Sequence, residues 1–584
     1  MFVKPTFNKK TGRTYLSIVH SYRDKEKGYS RTKTIKKLGY LDDLQKEYDD
    51  PIAHFEQLAE NMTLLSKQED ADYSIVAAKN EKIPKNTSGR MNYGYIVILK
   101  IFYELGLSRF LINRKQTTKI EYDTSAIMKL LVISRILSPG SKKEAYDKRK
   151  RYFDFDKKTN FTLNNIYRCL PHFAKLSADI QLLLHERITK QYGRKMDLIY
   201  YDVTNYYFEI DKEDLLRAKG VSKEFRPDPI VQMGLAMDEE GIPVSYEVFP
   251  GNESEKLHLR PMVFNLHSKY NARRVIAVAD AAHNTGNNIY YLDEGKQGYV
   301  FSQSIRGGSA EFKNYVVDEA GYEWFGDEYK RKSRLLRREI QVEFVKNGKT
   351  IKKKVLVDQR QIVFYSKKYA DRAKAKRESA VKKARKIVDN PAEFTKATSY
   401  GALKYVKNVE FDQETGEMKE PKGEPYFDID RLREEEKYDG YYCIVTNVFA
   451  EGKDKEKFSD DKIIDIYRGL WMIEDNFKVT KQDLETRPVY LSREDRIRGH
   501  FLICYVALVI MRLLQKNTGF KYTTENIIEA INNISCSHEG ENIYLFDYRS
   551  DISDDLGIAL NLDFSLKRLT RAEIKNNLGE VKKN

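Results

Sequence analysis

The sequence predicts a multidomain α/β protein, and three observations carry that expectation. A block with helical periodicity, from Tyr93 to about Gly193, precedes a block in which short apolar, β-branched runs alternate with helical patterns. A long stretch of two-residue alternation, broken by an Asn-Gly turn, then interrupts the second block before a strand-like run returns at YYCIVTN. With 584 residues the chain is long enough for several domains and a sizeable core. The breaks in pattern divide it into 1–45, 46–90, 91–193, 194–309, 310–439, 440–516 and 517–584.

Composition narrows the class. A chain that is 41% hydrophobic and 32% charged reads as soluble and globular. Its longest apolar run, Phe501 to Ile510, is too short to cross a bilayer and is soon followed by Arg512, so a buried helix is expected there. The opening MFVKPTFNKK is basic and lacks the apolar centre of a leader. Cys169, Cys443, Cys504 and Cys536 are scattered without a CxxC pair, which argues against a zinc site and a disulfide framework and points to a reducing, cytoplasmic interior. A net charge of +15 favours a polyanionic partner.

Residues 1–45 hold eleven Lys and Arg, with Lys9, Lys10 and Arg13 near the start. Alternation in TYLSIV and a turn near Asp24–Gly28 predict a basic β-ribbon in which Phe7, Tyr15, Tyr22 and Tyr29 interleave with charge, as on surfaces that grip a nucleic-acid backbone. A helix and a linker should occupy 46–90. In 91–193, YGYIVILKIFYELGL and SAIMKLLVISRIL carry apolar residues at helical steps, Pro139–Gly140 ends the second, and NNIYRCLPHFAKLSADIQLLLHERI is helical again. This block reads as an all-α DNA-binding or dimerisation module.

MDLIYYDVTNYYFEI is a strand containing Asp202, and IVQMGLAMD and PVSYEVFPG are two more joined at Asp238–Gly241. LHLRPMVFNLHSKY reads as a helix, and RRVIAVADAAHNTGNNIYYL as a strand ending at Asp280, a polar turn and a helix. Within 310–439, REIQVEFVKNGKTIKKKVLVD predicts a hairpin, and KRKSRLLRR and KAKRESAVKKARK supply dense basic charge. Beyond 440, FLICYVALVIMRLLQ and TTENIIEAINN should pack as core helices.

The stretch Ile466–Tyr490, IYRGLWMIEDNFKVTKQDLETRPVY, predicts one helix. Tyr467, Glu474 and Lys481 are seven apart and Trp471 lies four beyond the tyrosine, so one face carries a hydroxyl, an indole, a carboxylate and an ammonium. Y-x2-R-x3-E-x6-K is the pattern of a large branch of bacterial insertion-sequence transposases with a ribonuclease-H-like DDE core, and this stretch resembles it. Leu470 stands at the arginine position, while Arg468 lies on another face of the helix. NKKTGRTYLSIV, TKTIKKLGYLDDL, GVSKEFRPDPIVQMGLAMDEEGIPVSYEVFPGNESE and LETRPVYLSREDRIRGHFLICYVAL also resemble that branch, in its order.

The resemblance implies a ribonuclease-H-like core interrupted by a β-rich insertion before the glutamate helix. It implies Asp202, Asp280 and Glu474 as catalytic metal ligands, together holding two Mg²⁺ ions (Mn²⁺ able to substitute) around a phosphate. Tyr467 and Lys481 would bind phosphates near the element's end, and Trp471 would stack on a base or else anchor the core. His283, three residues past Asp280, reads as a hydrogen-bonded loop histidine, with a supporting role beside the carboxylates or a DNA contact as alternatives. No Walker loop is present, so ATP is not expected. The implied protein is a nucleoid-associated homodimer acting on double-stranded DNA, cutting inverted-repeat ends and joining 3′-hydroxyls to a target, with no membrane partner. A stand-alone metal nuclease and a transposase-derived DNA-binding protein are the competing readings.

Overall fold

The computed structural model describes residues 2–583 except 9–11, 24–29, 46–47, 49, 69–84, 86–88, 156–159, 211, 221–227, 271, 273, 347–348, 391–400, 410–422, 450–457, 488 and 541. Its contacts separate into two compact units, Met1–Glu81 and Lys82–Asn584.

The smaller unit is a three-stranded antiparallel sheet, β1 (Phe2–Asn8), β2 (Arg13–Arg23) and β3 (Ser30–Tyr40), backed by helix Pro51–Gln68. Alternation sends Val3, Leu16 and Ile18 to one face, where they bury with Phe55 and Ala59 of the helix. Pairing of β2 with β3 shifts register twice, and Gly39 sits at one shift with φ +136°, a conformation that a side chain would strain. The turn expected near Asp24–Gly28 lies outside the described residues, as do Lys9 and Lys10.

Among the described residues of the larger unit the strands are β4 (Arg90–Asn92), β5 (Leu198–Tyr207), β6 (Ile230–Met237), β7 (Pro243–Pro250), β8 (Ile276–Ala279), β9 (Gly298–Ser302), β10 (Glu323–Phe325), β11 (Tyr329–Lys346), β12 (Lys349–Ser366), β13 (Val406–Lys407), β14 (Tyr426–Phe427), β15 (Tyr441–Thr446), β16 (Ser535–Gly540), β17 (Ile543–Phe546) and β18 (Arg568–Thr570). Nine of them make one sheet in the order β10-β11-β12-β15-β9-β8-β5-β6-β7. Strands β5, β6 and β7 form an antiparallel meander; β8 then pairs parallel with β5, and β9 parallel with β8. The helix expected between β7 and β8 is Leu259–Tyr270. The hairpin expected around Asn347–Gly348 is β11–β12, 18 residues a side, and β15 joins its base antiparallel to β9. Basic helix Lys367–Asp389 follows the hairpin.

One helix organises the rest. In helix Glu494–Asn517 the stretch Phe501–Met511 is apolar around its whole circumference, and such a stretch must be buried on all sides. By length and hydropathy the helix could cross a membrane, yet 94% of its apolar window is buried inside the protein. Helices Ile96–Glu104, Thr124–Leu137 and Leu163–Lys175 pack on it, so the helical block of 91–193 and the C-terminal helices share one core. Arg512 is buried in that core because three partners neutralise or accept from it: Asn476 Oδ1 at 2.9 Å, Gln515 Oε1 at 2.7 Å and Asp475 Oδ2 at 2.8 Å. Two of these lie in the Ile466–Tyr490 stretch, which this helix therefore holds in place. Strands β4, β16, β17 and β18 make a separate small sheet. All four cysteines are buried thiols.

Candidate active site

The sheet register brings two carboxylates level. Leu198, Ile199 and Tyr200 of β5 pair with Ile276, Ala277 and Val278 of β8, a constant offset that, continued past the paired residues, puts Asp202 beside Asp280. Asp280 follows the last residue of β8 and caps a 3₁₀ turn, its Oδ1 accepting from the Ala282 amide at 2.9 Å. Ligand atoms of Asp202, Asp280 and His283 all lie within 4.8 Å of one another. Carboxylates held this close repel unless a cation or proton separates them. The donor set and its crowding therefore fit a divalent cation, with Asp202 and Asp280 as its oxygen ligands.

The segment that bears Glu474 runs along the face of β5 that carries Asp202. Alternation puts Tyr200, Asp202, Thr204 and Tyr206 on one face. Tyr200 donates to the Ile466 carbonyl at 3.0 Å, and the Tyr206 hydroxyl meets Thr480 Oγ1 at 2.9 Å. Six strand residues span about 20 Å and fourteen helical residues about 21 Å, so the segment runs alongside β5 for its whole length. Glu474 is exposed on this segment, and its charge, like that of Asp280, reaches the Tyr467 hydroxyl. Glu474 is not part of the three-way cluster.

The segment is not the single regular helix expected. Helix Asp460–Arg468 gives way at Gly469–Leu470 to bonds three residues apart, such as Leu470 N to Tyr467 O and Met472 N to Gly469 O, both at 3.1 Å. Helix Trp471–Lys478 then passes into a π turn at Val479–Asp483. The cause of the first break is tertiary. A Cβ on Gly469 would lie 2.1 Å from the Tyr200 hydroxyl, so only glycine admits the tyrosine that bonds the Ile466 carbonyl. Tightened and widened turns of this kind recur at functional sites.

Tyr467 links the parts. Its hydroxyl bonds Ser302 at the end of β9, whose carbonyl accepts from Asn284 Nδ2 at 2.9 Å in the loop after Asp280. Burial pushes the Tyr467 phenol up, and the negative charges of Asp280 and Glu474 add to it. The ring therefore stays neutral and senses both carboxylates. Lys481 lies with its ammonium 5.6 Å from the centre of the Tyr206 ring.

The remaining residues singled out in the sequence fall as follows. Trp471 is 63% exposed, a solvent-facing indole and not a core anchor. Leu470 is half-buried against the large apolar core. Arg468 turns toward the β11–β12 hairpin, 5.8 Å from the Tyr329 ring and 5.9 Å from Phe364, and pairs with Asp465. Arg13, in the smaller unit, pairs with Asp42 and Asp43 and covers the Tyr40 ring at 4.0 Å. Sequence reasoning undervalued His283, Ser302 and Asn284. For His283 the signal was present: three residues after a strand-end aspartate is the spacing that a 3₁₀ turn eclipses.

Comparison with known proteins adds three findings. Residues 3–72 match the family model described as IS1634 family transposase, N-terminal domain, and residues 229–510 match the Transposase DDE domain. The second match contains Asp280 and Glu474 and begins after Asp202. A protein assigned as the transposase of insertion sequence element IS4SA of Synechocystis sp. is 35% identical over 73 residues, which are 12% of this chain and 22% of that protein. Among solved structures, the Mos1 transposase paired-end complex with left transposon end aligns over 41% of this chain and 65% of its own, at 13% identity and a TM-score of 0.13, too distant to bear on the fold.

Proposed function

Because the chain belongs to the insertion-sequence DDE transposases, we propose that it binds the inverted-repeat ends of its element, cuts the DNA there and joins the 3′-hydroxyl ends to a target. The observation that carries this reading is the meeting of Asp202 and Asp280 beside the segment that bears Glu474.

The order of β7-β6-β5-β8-β9, an antiparallel meander followed by two parallel strands, supports a ribonuclease-H-like core formed by 194–309 and 440–516. On that scheme 310–439 is an insertion, 91–193 a helical DNA-binding or dimerisation region packed in one core with the C-terminal helices, 1–45 a DNA-binding sheet backed by the helix within 46–90, and 517–584 a C-terminal region. DDE transposase domains use divalent metal ions, and here Asp202, Asp280 and Glu474 would hold them, with Mg²⁺ the expected ion and Mn²⁺ a substitute. Bound ions supply Lewis-acid activation of the attacking and leaving oxygens. The chain's own groups do the rest. Lys481 and Tyr467 hold the phosphate of the element's end, Trp471 stacks on a base from its exposed position, and Arg468 lines the approach from the hairpin side. In the smaller unit Arg13 is already paired with acids, so the exposed Lys4, Lys33, Lys36 and Lys37 carry more of the phosphate contact beside Lys9 and Lys10. The working form is a homodimer on double-stranded DNA in the bacterial cytoplasm, associated with the nucleoid, and it needs no ATP.

The test is an assay on DNA bearing the element's terminal repeats together with a supercoiled target. Cutting at the repeat followed by covalent joining is expected. Cutting without joining would reduce the protein to a nuclease, and binding without either to a DNA-binding derivative.

A further inference from the structure

The three-way cluster at the strand ends contains an imidazole that the DDE reading does not use. We propose that His283 is a nitrogen ligand of the divalent cation held by Asp202 and Asp280. The inference rests on the reading of those two carboxylates as metal ligands and adds a third donor of a different chemical kind.

Three observations carry it. First, Asp280 caps the turn Ala281–His283, and the His283 amide closes it on the Asp280 carbonyl at 3.3 Å. On a 3₁₀ turn residues three apart eclipse, so the carboxylate and the imidazole project from the same side. Second, the loop is locked. The fully buried Asn288 donates its Nδ2 to the His283 carbonyl at 3.0 Å and to the Lys256 carbonyl at 3.1 Å, and the Thr285 amide bonds the same His283 carbonyl at 2.8 Å. Third, the ring is wholly buried, set edge-on to Tyr201 at 5.3 Å, with a ring nitrogen in the same 4.8 Å cluster as both carboxylates. A loop histidine serving only solubility would be exposed. This one is fixed where a ligand would be.

Two oxygens and a nitrogen make a donor set with a selectivity of its own. Mg²⁺ favours oxygen, whereas imidazole raises affinity for later divalent ions such as Co²⁺. The experiment titrates the full chain and its variants with Co²⁺ and with Mg²⁺, following Co²⁺ by its visible absorption. His283→Gln should weaken Co²⁺ binding by about tenfold or more, change the Co²⁺ spectrum, and alter Mg²⁺ binding much less. Asp202→Asn is the control for the site itself. If Asp202→Asn loses Co²⁺ while His283→Gln binds it unchanged, the inference is overturned and the carboxylate site stands. If neither change affects Co²⁺, the site as a whole is wrong. Should His283→Gln fail to fold, His283→Cys decides: a ligand position gives a sulfur-to-Co²⁺ charge-transfer band, and a folded variant without that band contradicts the proposal.

Discussion

Gly469→Ala is the smallest change that should dislodge the Glu474 segment. The added methyl would sit 2.1 Å from the Tyr200 hydroxyl and 2.5 Å from its ring carbon Cζ, well inside contact distance. Neither group can yield easily, because Tyr200 is 3% exposed in the sheet and its hydroxyl holds the Ile466 carbonyl. Relief requires breaking that bond, worth about 1 kcal/mol, or shifting the segment, and overpacking costs about 1–3 kcal/mol. The sum is a loss of about 2–4 kcal/mol, from which the better helix propensity of alanine returns up to about 1 kcal/mol. Urea denaturation measures it. The same shift moves Glu474, and a displacement of about 1 Å at a reacting centre costs about a hundredfold in rate, so DNA cleavage should fall more than stability alone explains. Removing the obstacle should uncouple the two: in a Tyr200→Ala background Gly469→Ala should cost less than about 1 kcal/mol. An equal cost in both backgrounds would refute the role given to Tyr200.

Other perturbations separate packing from contact. Leu470→Arg restores the arginine of the family pattern at a half-buried position, so it should lower stability by about 1–3 kcal/mol in a melting curve without tightening end binding in a gel shift. Trp471→Ala should change stability by less than about 0.5 kcal/mol and weaken binding of end DNA by about 1–3 kcal/mol, since the indole is exposed. Replacing Lys33, Lys36 and Lys37 by Gln should lower the slope of log affinity against log salt by about 3 units if each meets a phosphate; an unchanged slope removes β3 from the DNA surface. Burial pushes the His185 imidazole down to about 4 from an ordinary 6.5. Between those values the unfolded chain binds the extra proton, so stability should fall as pH drops from 6.5 toward 4, and His185→Gln should flatten that slope in pH-dependent unfolding.

Local pattern made much of the architecture legible. The β-branched runs around Asp202 and before Asp280, the alternation in 329–366 and the apolar Phe501–Ile510 each report a short-range preference that tertiary contacts reinforce. What was not legible depends on partners distant in sequence. The break at Gly469 comes from Tyr200, more than 260 residues earlier, and nothing in the segment's own periodicity announces it. Arg13 looked like free basic charge because Asp42 and Asp43 lie outside its strand. The shared core of 91–193 with Glu494–Asn517 is likewise invisible to a reading that takes blocks in turn. His283 reads from sequence as a loop histidine because a single histidine carries little signal until the turn geometry sets it beside two carboxylates.

The central claim is that Asp202, Asp280 and Glu474 act together on one scissile phosphate. Its most direct test is cleavage of end-bearing DNA by Asp202→Asn, Asp280→Asn and Glu474→Gln, each measured with Mg²⁺ beside a gel shift on the same DNA. Amides keep the shape and remove the charge, so all three variants should bind the ends nearly as well as the parent and cut them at less than about one-thousandth of its rate. Near-parental cleavage by any one of them would contradict the account.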